Sequence, residues 1–396
     1  MEGRGLSVLT KEGTKSSYLV NTYNQYPVEF IRGDGAYLYD SAGKTYIDFL
    51  CGIAVTGFGH NNQEINSAAV EQMNKFWHVS NLFESTPQSK LAEKLTRISG
   101  LDKVFFCNTG TEAVEGAIKF ARKYSEGKYE IITALNGFHG RTMGSLSATA
   151  QKKLQEGYSP LLDGFKHVPY DNIEAVENAI TDKTVAVLIE SIQGEGGINV
   201  PSKNYLTDLR LLCNDKNLLL IIDEIQTGMG RTGKYFAYQH ENILPDMITI
   251  AKGIANGIPL GAIVCSEKIA EKITPGSHGS TFGGNPVAVA AANKVIDLLD
   301  ENMLGNISSL GKKLFDALHG LHLDQIKDIR GKGLIIGVEF QENISAKEIA
   351  KKMLLEEKFL LGTAKDSVVR VIPPFIITEK EIMKFLISFK KVVSSF

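Results

Sequence analysis

Two apolar runs in the middle of this chain each end in charge. Leu218-Leu219-Leu220-Ile221-Ile222 runs into Asp223-Glu224, and Met247 to Ala251 runs into Lys252-Gly253. Continuous hydrophobic runs of this length are what strands look like when a parallel sheet is covered on both faces. Open α/β sheets place their binding crevice at the carboxyl ends of such strands. If the two runs lie side by side, a carboxylate and a lysine enter one crevice.

The same texture recurs along the middle of the chain. Val104 to Asn108, Glu130 to Thr133, Val185 to Glu190 and Ala262 to Cys265 read as further strands, with amphipathic stretches such as Glu112 to Tyr124 and Lys203 to Lys216 between them. That alternation predicts an α/β fold built on a mostly parallel sheet. Thr86-Pro87 opens another helix, Leu91, Leu95 and Ile98 line one face of it, and Gly100 stops it. The ends read differently. Residues 28 to 50 predict a short meander with turns at Gly33-Asp34-Gly35 and Ala42-Gly43. From about Val295 come helices, a strand over Gly333 to Phe340, and a last helix. Thr378 and Glu381 form its capping box, and Ile382, Phe385, Leu386 and Phe389 its apolar face. The expected organisation is a large domain over 61–294 and a smaller α+β domain assembled from 1–60 and 295–396.

Bulk properties narrow the function. At 396 residues the chain exceeds one typical core, which fits two domains. A net charge of −2 gives no electrostatic reason to expect nucleic acid or an anionic membrane surface. No apolar stretch approaches the roughly 20 residues of a membrane helix, and Met1 to Thr10 lacks the core of a signal peptide. A cytoplasmic protein is expected. Cys51, Cys107, Cys213 and Cys265 are scattered without CxxC spacing, so buried free thiols are expected, with neither a zinc site nor a disulfide framework. His319 and His322 read as a helix end; no metal is expected.

The chemistry gathers at strand ends. A pyridoxal-phosphate enzyme needs both Lys252 and Asp223: the lysine carries the cofactor as a Schiff base, and the carboxylate keeps the ring nitrogen protonated. Asn108-Thr109-Gly110-Thr111-Glu112 joins a strand to a helix, where free N–H groups suit a phosphate. Alone, the motif reads equally well as an ordinary capped turn. Phe138-His139-Gly140-Arg141-Thr142 offers an aromatic ring for stacking and an arginine for a carboxylate. Taken singly, these are more often core and surface residues. Glu190 and Glu195 bracket another strand end. Gly279 to Pro286 is a glycine-rich loop with small hydroxyls before a long helical stretch. Gly228-Met229-Gly230-Arg231-Thr232-Gly233 fits a dinucleotide pattern and, with Lys234, nearly a P-loop. However, Tyr235 replaces the magnesium-binding hydroxyl, and the run neither follows its strand at once nor opens a helix.

Together these blocks resemble the class III, fold-type-I pyridoxal-phosphate aminotransferases. The likeness runs from about Tyr23 to Thr378 through NTGTEAVEGAIK (108–119), FHGRT (138–142), ESIQGEGG (190–197), LLIIDEIQTGMGRTG (219–233), AKGIANGIPLGA (251–262), HGSTFGGNP (278–286) and VVRVIPP (368–374). It implies pyridoxal 5'-phosphate held by Lys252, with Asp223 at the ring nitrogen, Phe138 and Ile225 on the ring faces, Glu224 nearby and Gln226 at the phenolic oxygen. Gly110 and Thr111 would hold the phosphate, joined by Thr281 from the other subunit of a homodimer with shared active sites. Arg141 would take a substrate carboxylate and Ser280 of the second subunit would lie near it. Glu195 and Arg370 match a gating pair that admits the amino donor when joined and glutamate when parted. Tyr23 aligns loosely with a substrate-contacting tyrosine, and Ser191 stands where many relatives have proline. The implied reaction moves the terminal amine of N2-acetyl-L-ornithine to 2-oxoglutarate. Ornithine, 4-aminobutyrate and N-succinyl-diaminopimelate are alternative donors, and an aminomutase or decarboxylase shares the cofactor. A nucleotide-binding ATPase resting on 228–234 and an inactive binding protein are the readings from other classes.

Overall fold

Three sheets carry the molecule, and their strands come from different stretches of the chain. The computed structural model describes residues 18–396; Met1 to Thr10, and the start of the 1–60 segment, lie outside the described residues. At the amino end β1 (Phe30–Asp34), β2 (Tyr37–Asp40) and β3 (Thr45–Asp48) form the expected antiparallel meander. A central seven-stranded sheet follows, made of β4 (Lys103–Cys107), β5 (Glu130–Ala134), β6 (Phe165–Val168), β7 (Thr184–Glu190), β8 (Leu219–Asp223), β9 (Met247–Ile250) and β10 (Gly261–Cys265). Its order is β4-β10-β9-β8-β7-β5-β6. Only β10 runs against its neighbours, so the sheet is mostly parallel. A third sheet holds β11 (Ile326–Lys332), β12 (Ile335–Phe340), β14 (Gly362–Ala364) and β15 (Val368–Val371). The two-residue β13 (Phe359–Leu360) leaves that region to pair in parallel with β3.

The register of the central sheet sets the site. β8 lies parallel to β7 and to β9, with Glu190 beside Asp223 and Asp223 beside Thr249. Successive strand residues face opposite sides. Leu220 and Ile222 accordingly join the larger core cluster, while Leu219 and Ile221 join the cluster beneath the helix Gly110–Tyr124. That helix begins where β4 ends, with Thr109 as its N-cap and Glu112 completing a capping box. The helix Thr86–Ser99 has Ser85 at its N-cap and stops at a left-handed Gly100. The last helix, Glu379–Val393, has the expected Thr378/Glu381 box and buries Ile382, Phe385 and Phe389; Leu386 is only partly buried.

Candidate active site

A cavity of 390 Å³ opens at the carboxyl ends of β4, β5, β7, β8 and β9. Its lining includes Gly110, Thr111, Phe138, Arg141, Glu195, Asp223, Ile225, Gln226 and Lys252, so most of the residues marked in the sequence share one space. Lys252 follows β9 in a left-handed backbone conformation, φ 49°, which few non-glycine residues adopt. Burial pulls its ammonium below the ordinary lysine value; Glu195 and Asp223 act against that and Arg370 with it, all as charges across space.

Asp223 is held from three sides. Oδ2 lies 2.8 Å from Nδ1 of His139, while Oδ1 accepts the Ile225 N–H and the Thr249 hydroxyl, each at 3.1 Å. His139 is 2% exposed, and sequence reasoning gave it no role. Burial disfavours its cation, yet the Asp223 hydrogen bond and the charges of Asp223 and Glu190 outweigh burial and leave its pKa raised. Glu190 completes the cluster. Its carboxylate accepts the N–H groups of Phe138 (3.1 Å) and Gly194 (3.0 Å), and burial, helped by the charge of Asp223, raises it to about 7.

The helix Gly110–Tyr124 aims its amino end at the cavity. A Cβ on Gly110 would stand 2.9 Å from the Ile225 side chain, and one on Gly140 only 2.4 Å from the Thr111 hydroxyl. Both positions therefore keep space that a side chain would fill. Thr111 Oγ1 also accepts the backbone N–H groups of Arg141 and Thr142. Beneath the rim, Arg370 Nη1 donates to Glu195 Oε1 at 2.5 Å and to Gln226 Oε1 at 3.4 Å, and Gln226 Nε2 donates to Glu195 at 3.2 Å. Burial raises the Glu195 carboxyl, but Arg370 and Lys252 more than offset it, so its pKa is lowered. Arg141 is exposed at the mouth, 5.5 Å from the Phe138 ring centroid.

Several expectations land elsewhere. Glu224 does not line the cavity. Being next to Asp223 on a strand, it points to the opposite face, where its oxygens accept Thr227, Ser191, Ala237 and Tyr238. Ser280 sits just outside the lining, accepting from Asn108 at 3.2 Å, and Thr281 is exposed. Tyr23 is 80% exposed and away from the cavity. The run Gly228 to Gly233 forms turns rather than opening a helix, and Arg231 and Thr232 within it are buried, so it leaves no room for a nucleotide. The four cysteines are free and buried. Among the described residues no helix is long and apolar enough to cross a membrane, and no cluster of His, Cys, Asp and Glu could hold a metal ion.

Known proteins share this arrangement. The pattern of the family Aminotransferase class-III matches residues 18–393. Acetylornithine aminotransferase of Methanocaldococcus jannaschii is 46% identical, covering 94% of this chain and 95% of its own. Its namesake from Aquifex aeolicus is 44% identical over 92% and 97%. Among solved structures, ornithine aminotransferase from Toxoplasma gondii superposes with a TM-score of 0.91 at 33% identity, covering 96% of this chain and 93% of its own. N-acetylornithine aminotransferase from Stenotrophomonas maltophilia gives 0.83 at 34%, covering 94% and 97%. Members of this family depend on pyridoxal phosphate. With family pattern, relatives and strand-end cavity in agreement over nearly its whole length, the chain belongs to the class-III aminotransferases.

Proposed function

We propose that this chain is an aminotransferase that moves the terminal amine of N2-acetyl-L-ornithine to 2-oxoglutarate, yielding N-acetyl-L-glutamate 5-semialdehyde and L-glutamate. The observation that carries the reading is the meeting of Lys252 and Asp223 in one cavity at the ends of neighbouring parallel strands. The residues fit pyridoxal 5'-phosphate. Gly110, Thr111 and the helix start would take its phosphate, Phe138 and Ile225 the ring faces, Asp223 the ring nitrogen, and Gln226 the phenolic oxygen. Bound there, the cofactor supplies an electron sink that lets a C–H bond beside nitrogen ionise.

The chain's own groups do the rest. Lys252 Nζ, its cation disfavoured by burial, would take the proton from the carbon that bears the donor's amine and deliver it to the bound cofactor. Arg141 receives the donor's free carboxylate. While Glu195 neutralises Arg370 the donor is admitted; when they part, Arg370 takes the α-carboxylate of glutamate or 2-oxoglutarate. Ornithine aminotransferases share the fold as fully as the N-acetylornithine enzyme does, so fold likeness does not choose the donor. The higher identity to enzymes named for acetylornithine does favour it.

A homodimer with shared sites belongs to the proposal. Loop residues Ser280 and Thr281 adjoin Phe282, 59% exposed, and Asn81 and Asn285 bind this loop to a segment bearing exposed Trp77, Leu82 and Phe83. Exposed apolar side chains gathered on one loop and the segment tied to it favour an interface with a second copy. The cytoplasmic location and the division into 61–294 and the two flanking segments complete the reading. Absorbance of the protein loaded with pyridoxal phosphate tests it. N-acetylornithine alone should bleach the yellow band and 2-oxoglutarate should restore it. Bleaching by ornithine or 4-aminobutyrate alone would replace the donor, and a protein that stays colourless after incubation with the cofactor would end the proposal.

A further inference from the structure

The stretch Gly228 to Lys234 is marked in the sequence and unused by the reaction. Within it Arg231 is among the largest fully buried side chains. A buried guanidinium is costly unless its donors are met, and no carboxylate among the described residues pairs with this one. Nη1 instead donates to the carbonyls of Leu334 (3.2 Å) and Pro373 (2.6 Å), and Nη2 has no partner. The guanidinium carbon lies 4.4 Å over the Phe375 ring. Asp48, whose charge reaches Arg231, has both oxygens committed to Leu50, Cys51 and His60.

Those partners give the side chain an address. Leu334 immediately precedes β12 and Pro373 lies just past β15, and these strands pair with Gly337 opposite Arg370. The Leu334 N–H also donates to the Arg231 carbonyl at 3.0 Å. At its other end Arg231 hangs from the turn after β8, the turn that carries Gln226 against both Glu195 and Arg370. One planar cation thus fastens the strand of Arg370 to the loop that Arg370 must meet. We propose that Arg231 is a positioning residue for Arg370, seating β15 so that Arg370 reaches Glu195 when paired and the carboxylate of the amino acceptor when not. The inference rests on the reading of Arg370 given above.

The two half-reactions of the cofactor-loaded enzyme, followed separately, test it in R231K and F375L. R231K keeps the charge but loses the planar fork, and F375L removes the face on which the fork rests. Half-saturation by 2-oxoglutarate should rise about tenfold in R231K and less in F375L, with N-acetylornithine saturation and both limiting rates within about twofold of wild type. Calorimetric binding of glutarate, an unreactive dicarboxylate, should weaken by the same factor. A role in stability alone would impair both half-reactions together; that result, or unchanged saturation and glutarate binding in folded variants, overturns the proposal. F375L decides by the same split if R231K gives no soluble protein. Failure of the functional reading looks different: the wild-type protein then takes up no pyridoxal phosphate, or Arg370→Ala leaves saturation by 2-oxoglutarate unchanged.

Discussion

The two ends of the central sheet both bury charge, and they treat it in opposite ways. At the amino ends of the strands, Asp246 precedes β9 and accepts the Leu220 N–H at 2.8 Å, Arg210 at 2.6 Å and Lys268 at 2.5 Å. Burial opposes its charge, but these donors outweigh burial and its pKa is lowered. At the carboxyl ends, Lys252 and Glu190 are driven towards their neutral forms and the cavity lies open beside them. Burial alone therefore marks no reactive group. At the amino ends the donors outweigh burial. At the carboxyl ends Lys252 and Glu190 are left beside an open cavity with burial prevailing, and that difference marks the site.

Four substitutions can break or sharpen that contrast. Lys252→Ala should lower turnover by at least about 10⁴-fold, since general-base catalysis alone contributes ~10²–10⁴. Its melting temperature without cofactor should not fall, and retained steady-state activity would remove the lysine from the mechanism. Asp246→Asn should do the reverse, costing about 3 kcal/mol in denaturant unfolding, as expected when one member of a buried pair is lost, with kcat intact. A collapse of activity without loss of stability would erase the distinction between the ends. Glu190 gives a pH test. Its folded value of about 7 lies above the free value of 4.5, so its contribution to stability is full below about pH 4.5 and is lost as pH rises through 7. Glu190→Gln should flatten that part of the stability profile of the cofactor-free protein; an unchanged slope from pH 4.5 to 7 counts against it. The smallest effect belongs to Ser191→Ala, which removes one of the four donors to Glu224 and should cost about 1 kcal/mol with kinetics unchanged.

What was legible in the sequence follows from how far each signal reaches. The strands ending in Asp223 and Lys252 stood out because both faces of a parallel strand are buried. Those two strands, β8 and β9, are neighbours in space as well as in sequence, so the crevice followed. His139 was invisible because its contact with Asp223 depends on β5 lying two strands from β8, an order no local pattern encodes. Glu224, which the resemblance implied beside the cofactor, lies off the cavity lining because a pleated strand sends the neighbour of Asp223 to the other face. The third sheet was read from one strand only. Ile326–Lys332 carries four charged residues among seven, and β14, three residues long, is too short to show a period.

The parallel pairing of β3 with β13 bears on how the chain is made. Ile47, paired on one side with Tyr37, gains its second neighbour only when Phe359 arrives, and Phe49 lends its carbonyl to the Ile372 N–H. During synthesis the first meander therefore emerges long before the strand that completes it, with Phe49 lacking the Phe359 and Phe385 rings that later pack against it. Truncation near the carboxyl end would then be felt first at the opposite terminus, as exposed amino-terminal strands and a tendency to aggregate.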